Sequence, residues 1–162
     1  RRQRQMCIRD SGNVLHGDDG FGVAVAKRLQ DSAVLPPSVK VMETGIGGMS
    51  LVQELMTGYD ALLLLDAYQK GGEPGSLYFL EPELPDLSHL SAHELRDYFA
   101  DTPYASPIRA LHLLEHIEKL PNTIRILGCE PEDCEALCME LSAPVADAVD
   151  EAVAMVIDWV KG

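Results

Sequence analysis

The sequence predicts an α/β fold, a three-layer α/β/α sandwich with a mostly parallel twisted sheet, on three observations. Asp60-Ala61-Leu62-Leu63-Leu64-Leu65-Asp66 is an apolar run closed by carboxylates, the pattern of a central strand buried on both faces. Two glycine-rich turns, within 12–22 and 44–48, each lead into a stretch with helical spacing. Strand-like and helix-like segments then alternate to the C-terminus, which favours parallel strands joined by crossover helices.

The elements follow in order. From Gly20 to Leu29, the apolar residues Phe21, Val23, Val25, Ala26 and Leu29 recur at helical spacing, with Lys27, Arg28 and Gln30 on the wet side. Pro36 and Pro37 close that helix, and Val39 to Glu43 reads as a short strand. Met49 to Met56 is a second helix, with Leu51, Val52 and Leu55 on its inner face. The Ala61 to Leu65 strand comes next, and Ser76 to Leu80 is another strand. Residues 81–107 form a long irregular stretch with a helical turn near His93 to Phe99, and ordered loops of that length are usually functional or mobile. Pro107 to Ile117 is a helix with proline in its first turn. Thr123 to Gly128 is the last strand, and Ala143 to Val160 the closing helix. An α/β domain would also want a strand just before Gly12. Arg1 to Ser11 carries four arginines and lacks the expected apolar pattern, so no strand is predicted there.

Composition narrows the partners. A chain of 162 residues with 46% hydrophobic residues fits one globular domain. Its net charge of −13 repels nucleic acid and anionic membranes and suits a cation or a basic peptide. No apolar run approaches the roughly 20 residues that span a bilayer. Cys7, Cys129, Cys134 and Cys138 are too few for a disulfide scaffold, and the spacing of the last three does not fit a zinc knuckle. We read them as free thiols in a reducing, cytoplasmic compartment.

Three sets of side chains could carry chemistry. Asp18 and Asp19 lie in the first glycine-framed turn, where either can also cap the following helix. Asp66 ends the apolar strand, and open α/β sheets bind ligands beyond the carboxyl ends of their strands. The histidines are His16, His89, His93, His112 and His116. The last two share a helix face, which reads as a solvent-facing side because the zincin glutamate is missing. Neither glycine turn completes a phosphate loop, and no nucleophile elbow follows a strand.

Gly12-Asn13-x-x-x-Gly17-Asp18-Asp19-Gly20-x-Gly22, Glu43-Thr44-Gly45-Ile46-Gly47-Gly48, the strand ending in Asp66, and Gly128-Cys129-Glu130-Pro131-Glu132 together resemble the hydrogenase maturation proteases. The resemblance runs from Gly12 to the last helix. It implies a cytoplasmic endopeptidase that removes the C-terminal extension of a [NiFe] hydrogenase large-subunit precursor after nickel insertion. Nickel, supplied by the precursor, is the recognition element. Asp19 and Asp66 match the two carboxylate positions that contact the metal and carry catalysis, while Asp18 is left as the cap. The expected histidine position falls on Pro103, and His93 is its substitute as third ligand. Residues 1–11 depart from the family pattern and read as an atypical, non-native N-terminal segment, with 12–162 a single domain. The alternative is a catalytically silent metal- or partner-binding module that kept the fold and lost a ligand.

Overall fold

The computed structural model describes residues 4–12, 15–43, 48–100, 107–135 and 137–162. The glycine turn at 44–47 and Pro103 lie outside the described residues.

Five strands form one sheet in the order β2-β1-β3-β5-β4: β1 is Met6–Asp10, β2 Val39–Met42, β3 Ala61–Ala67, β4 Leu77–Leu80 and β5 Thr123–Cys129. The first three and β5 run parallel, and β4 is antiparallel to β5 at the edge. The helices are α1 (Phe21–Ser32), α2 (Gly48–Leu55), α3 (Ala92–Ala100), α4 (Pro107–His116) and α5 (Ala143–Lys161).

Alternation along the strands divides the core into two layers. Ile8, Leu63 and Leu65 pack with Phe21, Val25 and Leu29 of α1 and with Val145, Val149 and Val156 of α5. Cys7, Leu62 and Leu64 face the other way, onto Leu51, Val52 and Leu55 of α2 and Leu111 and Leu114 of α4. The apolar run of β3 is therefore buried on both faces, as its sequence predicts. The three-layer sandwich is the observed architecture.

The strand before Gly12 corrects the sequence reading. Met6–Asp10 is buried throughout and sits between β2 and β3, pairing Met6 with Ala61 and Asp10 with Leu65. Only Met6, Cys7 and Ile8 supply apolar packing, so the run is too short to announce itself. Arg9 and Asp10 are 3% and 1% exposed, charges that a pattern search assigns to solvent. Arg9 donates from Nη2 to Ser50 Oγ on α2, so its burial comes with a partner. Desolvation lowers the pKa of its guanidinium, although nearby Cys7, Asp10 and Glu54 oppose this.

Two glycines bring the sheet and the first turn together. A Cβ on Gly22 would lie 2.3 Å from the Leu65 carbonyl oxygen, so α1 rides directly on β3 at this point. A Cβ on Gly12 would lie 1.8 Å from the Asp19 carbonyl oxygen, which lets the turn fold back on the end of β1.

Gly22→Ala must push α1 away from β3, since backbone rather than a mobile side chain blocks the added methyl. We expect a loss of about 1–3 kcal/mol or more, measured by chemical denaturation with the slope unchanged. A variant as stable as the parent would show that the helix and strand are not in this contact.

Candidate active site

The site lies at the carboxyl end of the parallel strands, where β1 and β3 run into their loops. After β1 the chain reaches a 3₁₀ turn, Gly17–Gly20, that delivers Asp18 and Asp19 and passes directly into α1. Ser11 N–H donates to the Leu65 carbonyl at 3.1 Å, extending the β1–β3 pairing by one residue and setting Ser11 next to Asp66.

Asp18 and Asp19 take different jobs. Asp18 is 1% exposed, and its carboxylate gathers donors from residues far along the chain. Oδ2 accepts from the backbone N–H of Glu132 (2.7 Å), the N–H of Asp133 (3.1 Å) and the Ser142 hydroxyl (2.8 Å). Oδ1 accepts from the Ser142 N–H at 2.7 Å. Burial alone would raise its pKa, but these bonds outweigh it and hold the carboxyl below its ordinary value. Asp18 therefore does not cap the helix that follows it, as the sequence suggests. Neither the 3₁₀ turn nor α1 has a side-chain cap, and the carboxylate instead ties the β1–α1 turn to the β5–α5 loop.

Asp19 is half-buried and sits close enough to Asp66 that its charge acts on it. Asp66 is itself partly buried at the end of β3, on the side of the sheet occupied by Leu62 and Leu64. Burial pushes its carboxyl up to about 6, and the charges of Asp19 and Asp10 add to this. The neighbouring Ser11 and the Ala67 N–H pull the other way without prevailing. The structure thus brings Asp19 and Asp66 together. A carboxyl with this pKa can take up or release a proton near neutral pH, the property general acid–base chemistry needs.

His93 is not joined to them. It lies on the exposed helix α3, where Nδ1 is 3.0 Å from Asp97 Oδ2 one turn on. Among the described residues, no group of three or more His, Cys, Asp or Glu is arranged to hold a metal ion. The two aspartates are carboxylate oxygens on separate loops, a donor set that suits a divalent ion but needs further ligands from elsewhere to complete a shell.

The His112–His116 pair corrects another expectation. His112 is buried, not solvent-facing: Tyr98 Oη lies 2.9 Å from its Nδ1 and the Pro85 carbonyl 2.8 Å from its Nε2. It pins the 81–91 segment and α3 to α4, while His116 stays exposed beneath the Phe99 ring. A cavity of about 480 Å³ lies between these parts, lined by Leu84, Leu95, Phe99, His112, Glu115 and His116 among others, and neither Asp19 nor Asp66 borders it.

One buried acid had no sequence signal beyond its place in a motif. Glu130, 2% exposed, accepts from the N–H groups of Lys70 (2.9 Å) and Gly71 (3.0 Å) and from the Tyr78 hydroxyl (2.8 Å). It fastens the loop after Asp66 as Asp18 fastens the turn before Asp19. Burial would raise its pKa, but the bonds reverse that and lower it. The four cysteines are free thiols, as read from the sequence. Burial raises Cys134 to about 11, and the negative charges of Asp19, Asp18 and Asp66 add to the rise, so its thiol stays protonated beside the acids.

An α/β sandwich with two carboxylates within electrostatic reach of each other beyond the ends of parallel strands is the class of protein whose site can exchange a proton with water or grip a cation. Comparison with known proteins narrows that class. A profile of the hydrogenase maturation protease family matches residues 23–159. The hydrogenase expression/formation protein HupD of Rhizobium leguminosarum is 28% identical over 156 residues, covering 91% of this chain and 72% of the relative. A Methanocaldococcus jannaschii protein, placed by its name among hydrogenase maturation proteases, is 30% identical over 169 residues and 99% of each chain. The hydrogenase maturating endopeptidase HybD of Escherichia coli superposes with a TM-score of 0.78 at 24% identity, over 97% of this chain and 92% of that one, and so shares the fold. The chain belongs to the hydrogenase maturation protease family.

Asp18→Asn keeps the shape but sets an amide N–H₂ against backbone donors, and should cost about 2–4 kcal/mol. A depressed folded pKa means that the bonus is present above the unfolded carboxyl value, near 4, and is lost as pH falls through the lower folded value. Urea titrations should accordingly show the gap between parent and variant closing in acid. A constant gap down to pH 2 would remove Asp18 from this role.

Asp66→Asn should move stability the opposite way. A raised folded pKa makes the ionised group a cost that grows between about pH 4 and 6 and stays constant above. The variant should melt higher than the parent at pH 7 and with it at pH 4. Equal melting at both would mean that the carboxyl is not strained by burial.

Proposed function

We propose that the chain cuts the C-terminal extension from a [NiFe] hydrogenase large-subunit precursor once nickel has been inserted. The approach of Asp19, in the turn after β1, to Asp66, at the end of β3, carries this reading, with family membership setting the reaction type. Nickel belongs to the substrate. Asp19 and Asp66 would supply two carboxylate oxygens to it, with the remaining ligands coming from the precursor's own side chains. His93 stays a proposed third contact that requires α3 to bring it toward the acids.

The metal, when present, offers Lewis-acid polarisation of the adjacent carbonyl. The chain's residues would do the rest. Asp18 and Glu130 hold the two flanking loops so that Asp19 and Asp66 keep their separation when a partner binds. A carboxylate oxygen of Asp66 or Asp19 takes a proton from the attacking water and returns it to the departing amide nitrogen. Cleavage is conditional on metal loading, because a bare precursor gives the two carboxylates nothing to grip.

Incubation with nickel-loaded precursor, followed by intact-mass measurement, should show loss of the C-terminal tail. Asp19→Asn and Asp66→Asn should each slow processing by about 100-fold or more while the proteins remain folded by circular dichroism. Normal processing by either variant would remove that residue from the site. Failure of the parent protein to cut a competent precursor would favour a silent binding module.

A further inference from the structure

Leu137 and Met139 are the most solvent-open of the large apolar side chains described, at 84% and 75%, and Leu15 stands at 52%. One backbone bridge gathers all three. His16 pairs in parallel with Cys138: Gly17 N–H donates to the Cys138 carbonyl at 2.6 Å, and Cys138 N–H to the Leu15 carbonyl at 3.2 Å. The bridge is a single pair, because Gly17, with φ +55°, already opens the 3₁₀ turn, and it brings Leu15, one residue before His16, next to the Leu137–Met139 segment. The two bridged segments form a minimal ribbon of one pair, and three exposed apolar side chains stand within one residue of it. Scattered exposed apolar side chains are ordinary, but two leucines and a methionine beside one hydrogen-bonded pair are clustered.

The ribbon is continuous with the active site. Its first segment runs straight into Gly17–Gly20, so the apolar face ends within a few residues of Asp19. At its foot lies a cleft of about 240 Å³ lined by Gly17, Asp133, Cys138, Glu140, Leu141 and Ser142. Glu135 and Glu140 are exposed close by, giving the apolar face an acidic rim. A second copy of the chain is a poor occupant, because each copy carries a net charge of −13 and would bring a like-charged rim.

We propose that the Leu15–Leu137–Met139 face is the docking surface for the polypeptide flanking the scissile bond of the precursor. The occupant is an extended segment that sets apolar side chains on the ribbon and a basic side chain against the rim. This assignment rests on the protease reading above for the identity of the partner. It separates recognition of the polypeptide, on the ribbon, from recognition of the metal, at Asp19 and Asp66. The face then aligns the peptide so that the metal arrives between the two carboxylates.

The test compares the parent protein with a Leu137→Ser/Met139→Ser double variant, using nickel-loaded large-subunit precursor and measuring binding by interferometry and cleavage by mass. Both side chains are exposed, so the unfolding midpoint should not move. We expect Kd and KM to rise about tenfold as the apolar contact is lost. Unchanged Kd and KM in the variant would overturn the docking assignment. So would a fall in kcat alone, which would mean that the ribbon shapes Asp19 instead of holding substrate. A parent that sediments as a dimer, beside a monomeric variant, would give the face to a second copy and also overturn the assignment. A parent that binds the precursor without cutting it, with binding weakened in the variant, would sustain the docking face and sink the protease reading alone.

Discussion

The carboxylate of Asp18 joins two loops that begin more than a hundred residues apart. Its four bonds to Glu132, Asp133 and Ser142 lock the turn after β1 onto the segment between β5 and α5. Each loop alone would have to pay its own ordering entropy, and charge-assisted bonds to a buried acid offset much of that. The rest of the site inherits this geometry. Asp19 follows Asp18 directly, so its position against Asp66 is only as firm as the knot one residue before it. Glu130 provides the corresponding restraint on the loop after Asp66, which makes the carboxyl end of the sheet a surface held from both sides.

Four acids thus meet here under two regimes. Asp18 and Glu130 are saturated by N–H and O–H donors and stay ionised at little cost, which removes them from chemistry. Asp66 is buried with fewer donors and with Asp19 nearby, so its ionised form is disfavoured. The difference lies in the loops and not in the residue type. Burying a carboxyl without full compensation destabilises the fold, and such strain persists where function uses it.

How far the sequence disclosed this depends on whether the signal was local. The β3 strand and the helices that sandwich it were legible, because burial on both faces or along one stripe writes itself into consecutive residues. Asp19 and Asp66 were legible as candidates from equally local signals, one inside a glycine-framed turn before a helix and the other closing the apolar strand. The β1 strand was not, since two of the five residues of Met6–Asp10 are charged and their burial depends on Ser50, Leu64 and Leu65, which lie far along the chain. Asp18 misled in the same way. A local rule makes an Asp before a helix its cap, and only the folded chain shows that Ser142 and the 132–133 backbone compete for it successfully. His112 looked like a surface residue by its spacing, and its burial arises because the proline-rich 81–91 segment folds over α4, a contact that no period within α4 can encode.

Asp19, Asp66 and the acidic rim around them have a common consequence under the proposed reading. A site with Asp19 against a strained Asp66 is relieved by a proton or by a cation, and a divalent ion relieves it more, because it attracts both carboxylates at once. Under that reading the repulsion between the two carboxylates favours binding of a metal-loaded partner over an unloaded one with the same polypeptide. The apolar ribbon cannot make that distinction, because its contacts are the same whether or not nickel is present. Affinity for the chain and discrimination for the metal would then reside in different residues, one resting on exposed leucine and methionine and the other on buried charge. Under the proposed reading, that division lets the protein hold its precursor and yet stay inactive until the metal has been delivered.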